Sequence, residues 1–255
     1  MKLFFLWVCL FGTLFGYTCP EHLDKGIWHL AKPYFLPEDH KLKAELDKIF
    51  SQHNFRVIET LDTLEETGFE VTGTSHTQRL YVLKHKKLNG WIIKIYSDDT
   101  PGCKDWDFFI RRCQGANIAK NLILQHHAEE QFKAPQKYLY PLPANPAPKS
   151  KFDRKNFILL AEDMYLVSPQ MNRKAWKSKY ISAPLLDLLW RIITDGGLSD
   201  CLFIDNCPFS EDGRIAFIDT EQFHRWPLYY PKLTGYLSGP MQNHWRHLIN
   251  HKRSN

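Results

Sequence analysis

The sequence predicts an α+β protein, with an antiparallel sheet in its first half and a mainly helical second half. Three observations lead there. Residues 68–97 alternate and turn like a three-strand meander. Residues 106–127 repeat apolar side chains at helical spacing. Residues 182–194 make an apolar helix, after which come a loop and a hairpin.

The elements follow in order. Residues 19–65 read as a helical N-terminal extension, in which Pro37-Glu38-Asp39 precedes Leu42, Leu46, Ile49 and Phe50 on one helix face. After Thr67-Gly68 the period becomes two: Phe69 and Val71 flank Glu70, and Leu80-Tyr81-Val82-Leu83 has strand length. Asn89-Gly90 predicts a two-residue hairpin turn into the strand Trp91-Ile92-Ile93-Lys94-Ile95-Tyr96. Lys94 shares a face with Ile92 and Tyr96, a setting that turns its ammonium toward a cleft.

Phe109, Cys113, Ala116 and Ile123 mark the buried stripe of the next helix. Tyr138-Leu139-Tyr140-Pro141 is extended, and the prolines between 141 and 148 make an exposed connection. Phe157-Ile158-Leu159-Leu160-Ala161 reads as a buried strand ending at Glu162-Asp163. Ser182, with Pro184 close behind, caps a core helix that Gly196-Gly197 stops. A loop over 199–210, the turn Asp212-Gly213 and a strand over 214–218 lead to Asp219. A short helix near 244–249 closes the chain, with His244, His247 and His251 on one solvated face. Trp176, Trp190 and Trp226 read as core.

The first residues have a different character. Met1-Lys2, an apolar run over 3–15 and then Gly16, Thr18 and Cys19-Pro20 form the layout of a secretory signal peptide over residues 1–18. The run falls short of the ~20 apolar residues that span a bilayer. The expected product is an exported protein, delivered to the periplasm, a surface or a host, with no stable membrane span after cleavage. The net charge of +5 is spread without a Lys/Arg block, so nucleic acid is not an expected partner. Beyond the leader, Cys19, Cys103, Cys113, Cys201 and Cys207 form no C-x-x-C pair and are odd in number. That argues against zinc and against a complete disulfide framework.

The succession of a meander with a lysine on its last strand, a helix, a buried strand, a core helix, a loop with Asn206, a hairpin and Asp219 resembles the protein-kinase-like superfamily over residues 66–222. Arg112-Cys113-Gln114-Gly115-Ala116, Tyr138-Leu139-Tyr140-Pro141-Leu142-Pro143 and Ile218-Asp219-Thr220-Glu221 are also similar to uncharacterised exported kinase-like proteins of obligate intracellular bacteria. The resemblance implies a bilobal fold, with an antiparallel N-lobe sheet and helix over 66–163 and a truncated, mainly helical C-lobe over 164–255. It implies ATP and Mg²⁺ as cofactors. Lys94, with Gly73, Thr74 and Ser75, would meet the phosphates, and residues 161–164, including Glu162, would form the hinge beside adenine. Asn206 and Asp219, 13 positions apart, would hold the metal, and Asp200 would be the catalytic base.

Several residues depart from that pattern. Five positions before Asn206 stands Cys201, so Asp200 is one residue out of register. Asp205, next to Asn206, is expected to point elsewhere in an extended loop. Gly73 is the lone glycine of the phosphate-covering segment, and residues 108–128 contain no carboxylate to pair with Lys94. Lys94 is therefore expected to pair with Asp219. Only 36 residues follow Asp219, little for a protein-substrate platform. These departures favour a non-catalytic, pseudokinase-like binding or scaffold protein, with a nucleotide and a host or envelope protein as partners and otherwise no cofactor. The alternative is a divergent ATP/Mg-dependent phosphotransferase acting on a small molecule or a host component.

Overall fold

The computed structural model describes residues 17–75 and 80–251, so the expected signal peptide lies outside the described residues save for Tyr17 and Thr18. The chain is α+β. Helices α1 (Lys25–Ala31), α2 (Leu42–Ser51) and α3 (Leu61–Glu66) come first. Asp24 caps α1 by accepting from the Ile27 amide, and Thr60 and Thr63 cap α3 reciprocally. The expected face of α2, made of Leu42, Leu46, Ile49 and Phe50, is buried against Val57, Ile58 and the sheet residues Leu83, Ile93 and Ile95.

Strands β1 (Phe69–Ser75), β2 (Leu80–His85) and β3 (Trp91–Tyr96) form the antiparallel meander. Residues 86–90 join β2 to β3, a longer connection than the two-residue turn expected. Gly90 supplies the positive φ of 81° that this connection requires. Helix α4 (Asp105–Gln125) follows, then β4 (Phe132–Lys133), β5 (Lys137–Pro141) and β6 (Phe157–Glu162). The finished sheet has five antiparallel strands in the order β1-β2-β3-β6-β5. α4 packs against β5 and β6, where Phe109, Ile110 and Cys113 meet Tyr96, Leu139, Phe157 and Leu159.

The remainder is mainly helical: α5 (Pro169–Trp176), α6 (Ala183–Gly196), α7 (Pro231–Thr234) and α8 (Gly239–His251). α5 was not expected, and α8 is longer than expected. The strand foreseen over 214–218 shrinks to β7 (Ile215–Ala216), which pairs in parallel with β4. Ser182 caps α6 as the sequence predicts, and Gly197 ends it at φ 57°. Trp176 and Trp190 are buried in the core of this half. Trp226 is not, being 55% exposed and stacked on His224 at 5.6 Å. His244 meets Asp187 at 2.9 Å. Among the described residues no helix is long and apolar enough to cross a membrane. Cys19, Cys103, Cys113, Cys201 and Cys207 are free thiols.

Polar groups fasten the parts together. Arg56 and Asp98 form a buried ion pair; Arg56 also donates to Lys155 O at 2.6 Å, and Asp98 accepts from the Lys155 amide at 3.1 Å. The ammonium of Lys155 is enclosed by the carbonyls of Thr100, Cys103 and Asp153 at 3.0, 3.1 and 2.9 Å. Near the start of the chain, the Tyr17 ring packs edge-on against Phe35 at 5.1 Å, with the Lys43 ammonium 5.1 Å from its centre.

Asp105, in the first turn of α4, accepts from the amides of Asn156 at 2.6 Å and Phe157 at 2.8 Å. Burial nonetheless outweighs these donors and lifts its carboxyl to about 6. Asp200 is raised to a similar value, first by burial and then by Asp219. Between the ordinary carboxylate value of about 4 and the folded value, the native state therefore binds more protons than the unfolded chain, and stability falls as pH rises through that window. Asp105→Asn is expected to flatten this decline, as read by urea denaturation at the two ends of the window.

Candidate functional site

A cavity of about 710 Å³ opens between the meander and the segments that follow β6. Thr72, Val82, Ile92 and Ala161 form apolar wall on the sheet side, and Met164, Leu166, Pro208 and Ile218 line the other. That volume suits a nucleotide-sized ligand. Strand alternation explains how Lys94 reaches it. Ile93 and Ile95 point into the core shared with α2, so Lys94 emerges on the opposite face and lines the cavity with Ile92. Its side chain is only 12% exposed.

Asp219 arrives from the segment after β7, which is tied at successive residues. Phe217 N donates to Lys133 O at 2.8 Å, and Ile218 N to Asn206 O at 3.0 Å. Lys137 Nζ donates to Ile218 O at 3.1 Å. At Gly115 of α4, the Thr220 carbonyl lies so close that a Cβ built there would stand 1.7 Å from its oxygen. Asn172 of α5 holds the preceding loop, donating to Ile204 O and accepting from Phe209 N, each at 3.0 Å.

The expected pairing is present: Lys94 Nζ stands 3.9 Å from Asp219 Oδ2. The rest of the cluster goes beyond the expected residues. Arg112, in the middle of α4, donates through Nε (3.0 Å) and Nη2 (2.9 Å) to Glu221 Oε2, and its Nη2 is 3.7 Å from Asp219 Oδ2. Lys94, Arg112 and Lys137 thus surround Asp219. Burial works against an ionised Asp219, but these cations overcome it and hold its carboxyl at about 2. Burial pushes the Lys94 ammonium down to about 7 and that of Lys137 to about 8, with Asp219 only partly offsetting it. Arg112 stays charged, because Asp219 and Glu221 outweigh its burial.

Other expected residues stand elsewhere. Asp200 lies in a 3₁₀ turn (Ser199–Leu202), where its Oδ2 accepts from the Gln222 amide at 3.0 Å; it is not among the residues lining the cavity. Asp205, expected to point away, does line it, from a turn over 203–206 in which Asn206 N donates to Phe203 O at 3.0 Å. Gly73, Thr74 and Ser75, expected at the phosphates, are strand residues of β1 paired with Val82, Tyr81 and Leu80. Gly73 marks a register shift, and Thr72 is the cavity-lining residue of that strand. The residues 76–79 lie outside the described ones. Glu162 lines the cavity, yet its carboxylate is engaged by the Gln136 amide at 3.0 Å. Its neighbour Asp163 pairs with Lys84 at 2.8 Å.

The Mg²⁺ ion that the resemblance implies does not fit this donor set. Asp219 Oδ2, the carboxylate oxygen that would face it, is met by Lys94 and Arg112 instead. Asp219 Oδ1 is enclosed without a hydrogen-bond partner, whereas Mg²⁺ usually keeps several of its waters. Among the described residues no three His, Cys, Asp or Glu side chains converge to hold a metal.

No protein-family model matches the chain, and no curated protein sequence matches it either.

Proposed function

We propose that this chain is an exported, bilobal kinase-like protein that binds a nucleotide without transferring its phosphate, and serves as a binding or scaffold protein. In this reading the five-stranded sheet and α4 make one lobe and the helices after residue 164 the other. The observation that carries it is Lys94, a nearly buried ammonium at the wall of a nucleotide-sized cavity, paired with Asp219 behind it. The loss of turnover rests on Asp200, whose carboxylate is spent on a backbone amide, and on Arg112, a cation on the helix where kinases carry a glutamate. A host or envelope protein is the class of partner that suits an exported scaffold.

The reading predicts that ATP raises the melting temperature of the folded protein, by RT ln(1 + [L]/Kd) in stability. Lys94→Met is expected to remove that shift, and phosphate release should stay at background. The absence of any shift at millimolar ATP would sink the reading. One observation favours the enzyme instead: Asp205, an acidic residue, is among those lining the cavity. Phosphate release abolished by Asp205→Asn would move the conclusion to a divergent phosphotransferase acting on a small molecule or host component.

A further inference from the structure

We infer that this cleft binds the anionic end of its ligand without a divalent cation, Arg112 supplying beside Asp219 the positive charge a metal ion would bring. The inference deepens the nucleotide reading above and rests on it.

The geometry is specific. Arg112 is fixed by two hydrogen bonds to Glu221, both 3.0 Å or shorter, so its guanidinium cannot swing away to vacate the position. From there Nη2 lies 3.7 Å from the same Asp219 oxygen that Lys94 approaches at 3.9 Å. Lys137 adds a third positive charge through its bond to Ile218 O, the carbonyl just before Asp219. A divalent ion placed at Asp219 would enter among three cations, with one carboxylate to hold it. The second carboxylate of the cluster, Glu221, is already committed to Arg112. An anionic ligand meets the opposite situation: Lys94 lines the cavity, and Arg112 already neutralises the carboxylate that would otherwise repel phosphates.

Calorimetric titration of the purified protein with ATP, in excess EDTA and in excess Mg²⁺, tests this. The expected result is the same Kd in both, within about twofold. Binding at least about tenfold tighter with Mg²⁺ overturns the inference and leaves the nucleotide reading standing. No binding in either condition overturns the nucleotide reading itself. The role of Arg112 is tested by the paired variant Arg112→Gln/Glu221→Gln, which removes both charges together. It is expected to bind ATP only when Mg²⁺ is present; a variant as indifferent to Mg²⁺ as the parent overturns the assignment to Arg112. Should that variant not fold by circular dichroism, Mn²⁺ titration of the parent protein, followed by water-proton relaxation, decides. No enhancement is expected, and an enhancement lost in Asp219→Asn overturns the inference.

Discussion

Gly115→Ala is expected to destabilise the protein by about 3 kcal/mol, the upper end of what overpacking costs. Alanine in place of glycine within a helix ordinarily gains roughly 0.5–1 kcal/mol. Here the new methyl would fall 1.7 Å from the Thr220 carbonyl oxygen and 2.7 Å from its carbon. Backbone cannot rotate aside as a flexible side chain does, so α4 or the strand-end segment must move. Either movement separates Arg112 from Glu221 and shifts Asp219, so the ATP-induced rise in melting temperature should vanish along with the stability. Gly239→Ala, where a Cβ meets nothing within 4 Å, is the control and should leave both unchanged. Urea denaturation and the thermal shift, measured on both variants, give the comparison. Equal stability for the two would show that α4 and Thr220 have room for a methyl between them.

Asp98→Ala is the second large effect, at about 3–5 kcal/mol, because it strands a buried guanidinium. Arg56 and Asp98 are each at most 5% exposed, and between them they hold Lys155, whose amide and carbonyl are both bound. The loss should therefore loosen the start of β6 as well as the ion pair, exposing the amides around residue 155 to hydrogen exchange. Replacing both partners with apolar residues, as in Arg56→Met/Asp98→Leu, should recover much of the loss, since neither charge is then left alone. A double variant no better than Asp98→Ala would mean that the bonds to Lys155, not the ion pair, carry the energy.

The meander and the two long helices were legible because burial on one face imposes a local period. Phe69 and Val71 alternate around Glu70, and Phe109, Cys113 and Ala116 recur at helical spacing. Lys94 was legible for the same reason, as a charge in an apolar strand. Arg112 carries the same kind of signal: it stands three residues after Phe109 and four before Ala116, inside the buried stripe of α4. A charge there has to find a partner across the fold, and Glu221, 109 positions away, is that partner. Lys137 at a strand start, and the close approach of Gly115 to Thr220, leave no local mark because only tertiary packing creates their contacts. The place of Asp205 at the cavity comes from the turn that Asn206 N closes on Phe203 O, which no periodicity announces. α5 had its sign in Ser168-Pro169, a cap followed by proline at the first turn.

If the export proposed above is right, the aromatic contact at the start of the described chain bears on which released form would be better packed. Tyr17 is a wedge for the N-terminal segment: its ring rests on Phe35, its hydroxyl is enclosed, and Lys43 sits over it. Severing the chain after Thr18 would discard the wedge and uncover one side of Phe35, which keeps Trp28 and Phe157, and of Lys43, which keeps Asp47. Severing it after Gly16 would keep the wedge as the first residue of the released protein. In that reading the fold is better packed when Tyr17 is kept, and the mass of the mature N-terminal peptide shows which form is released.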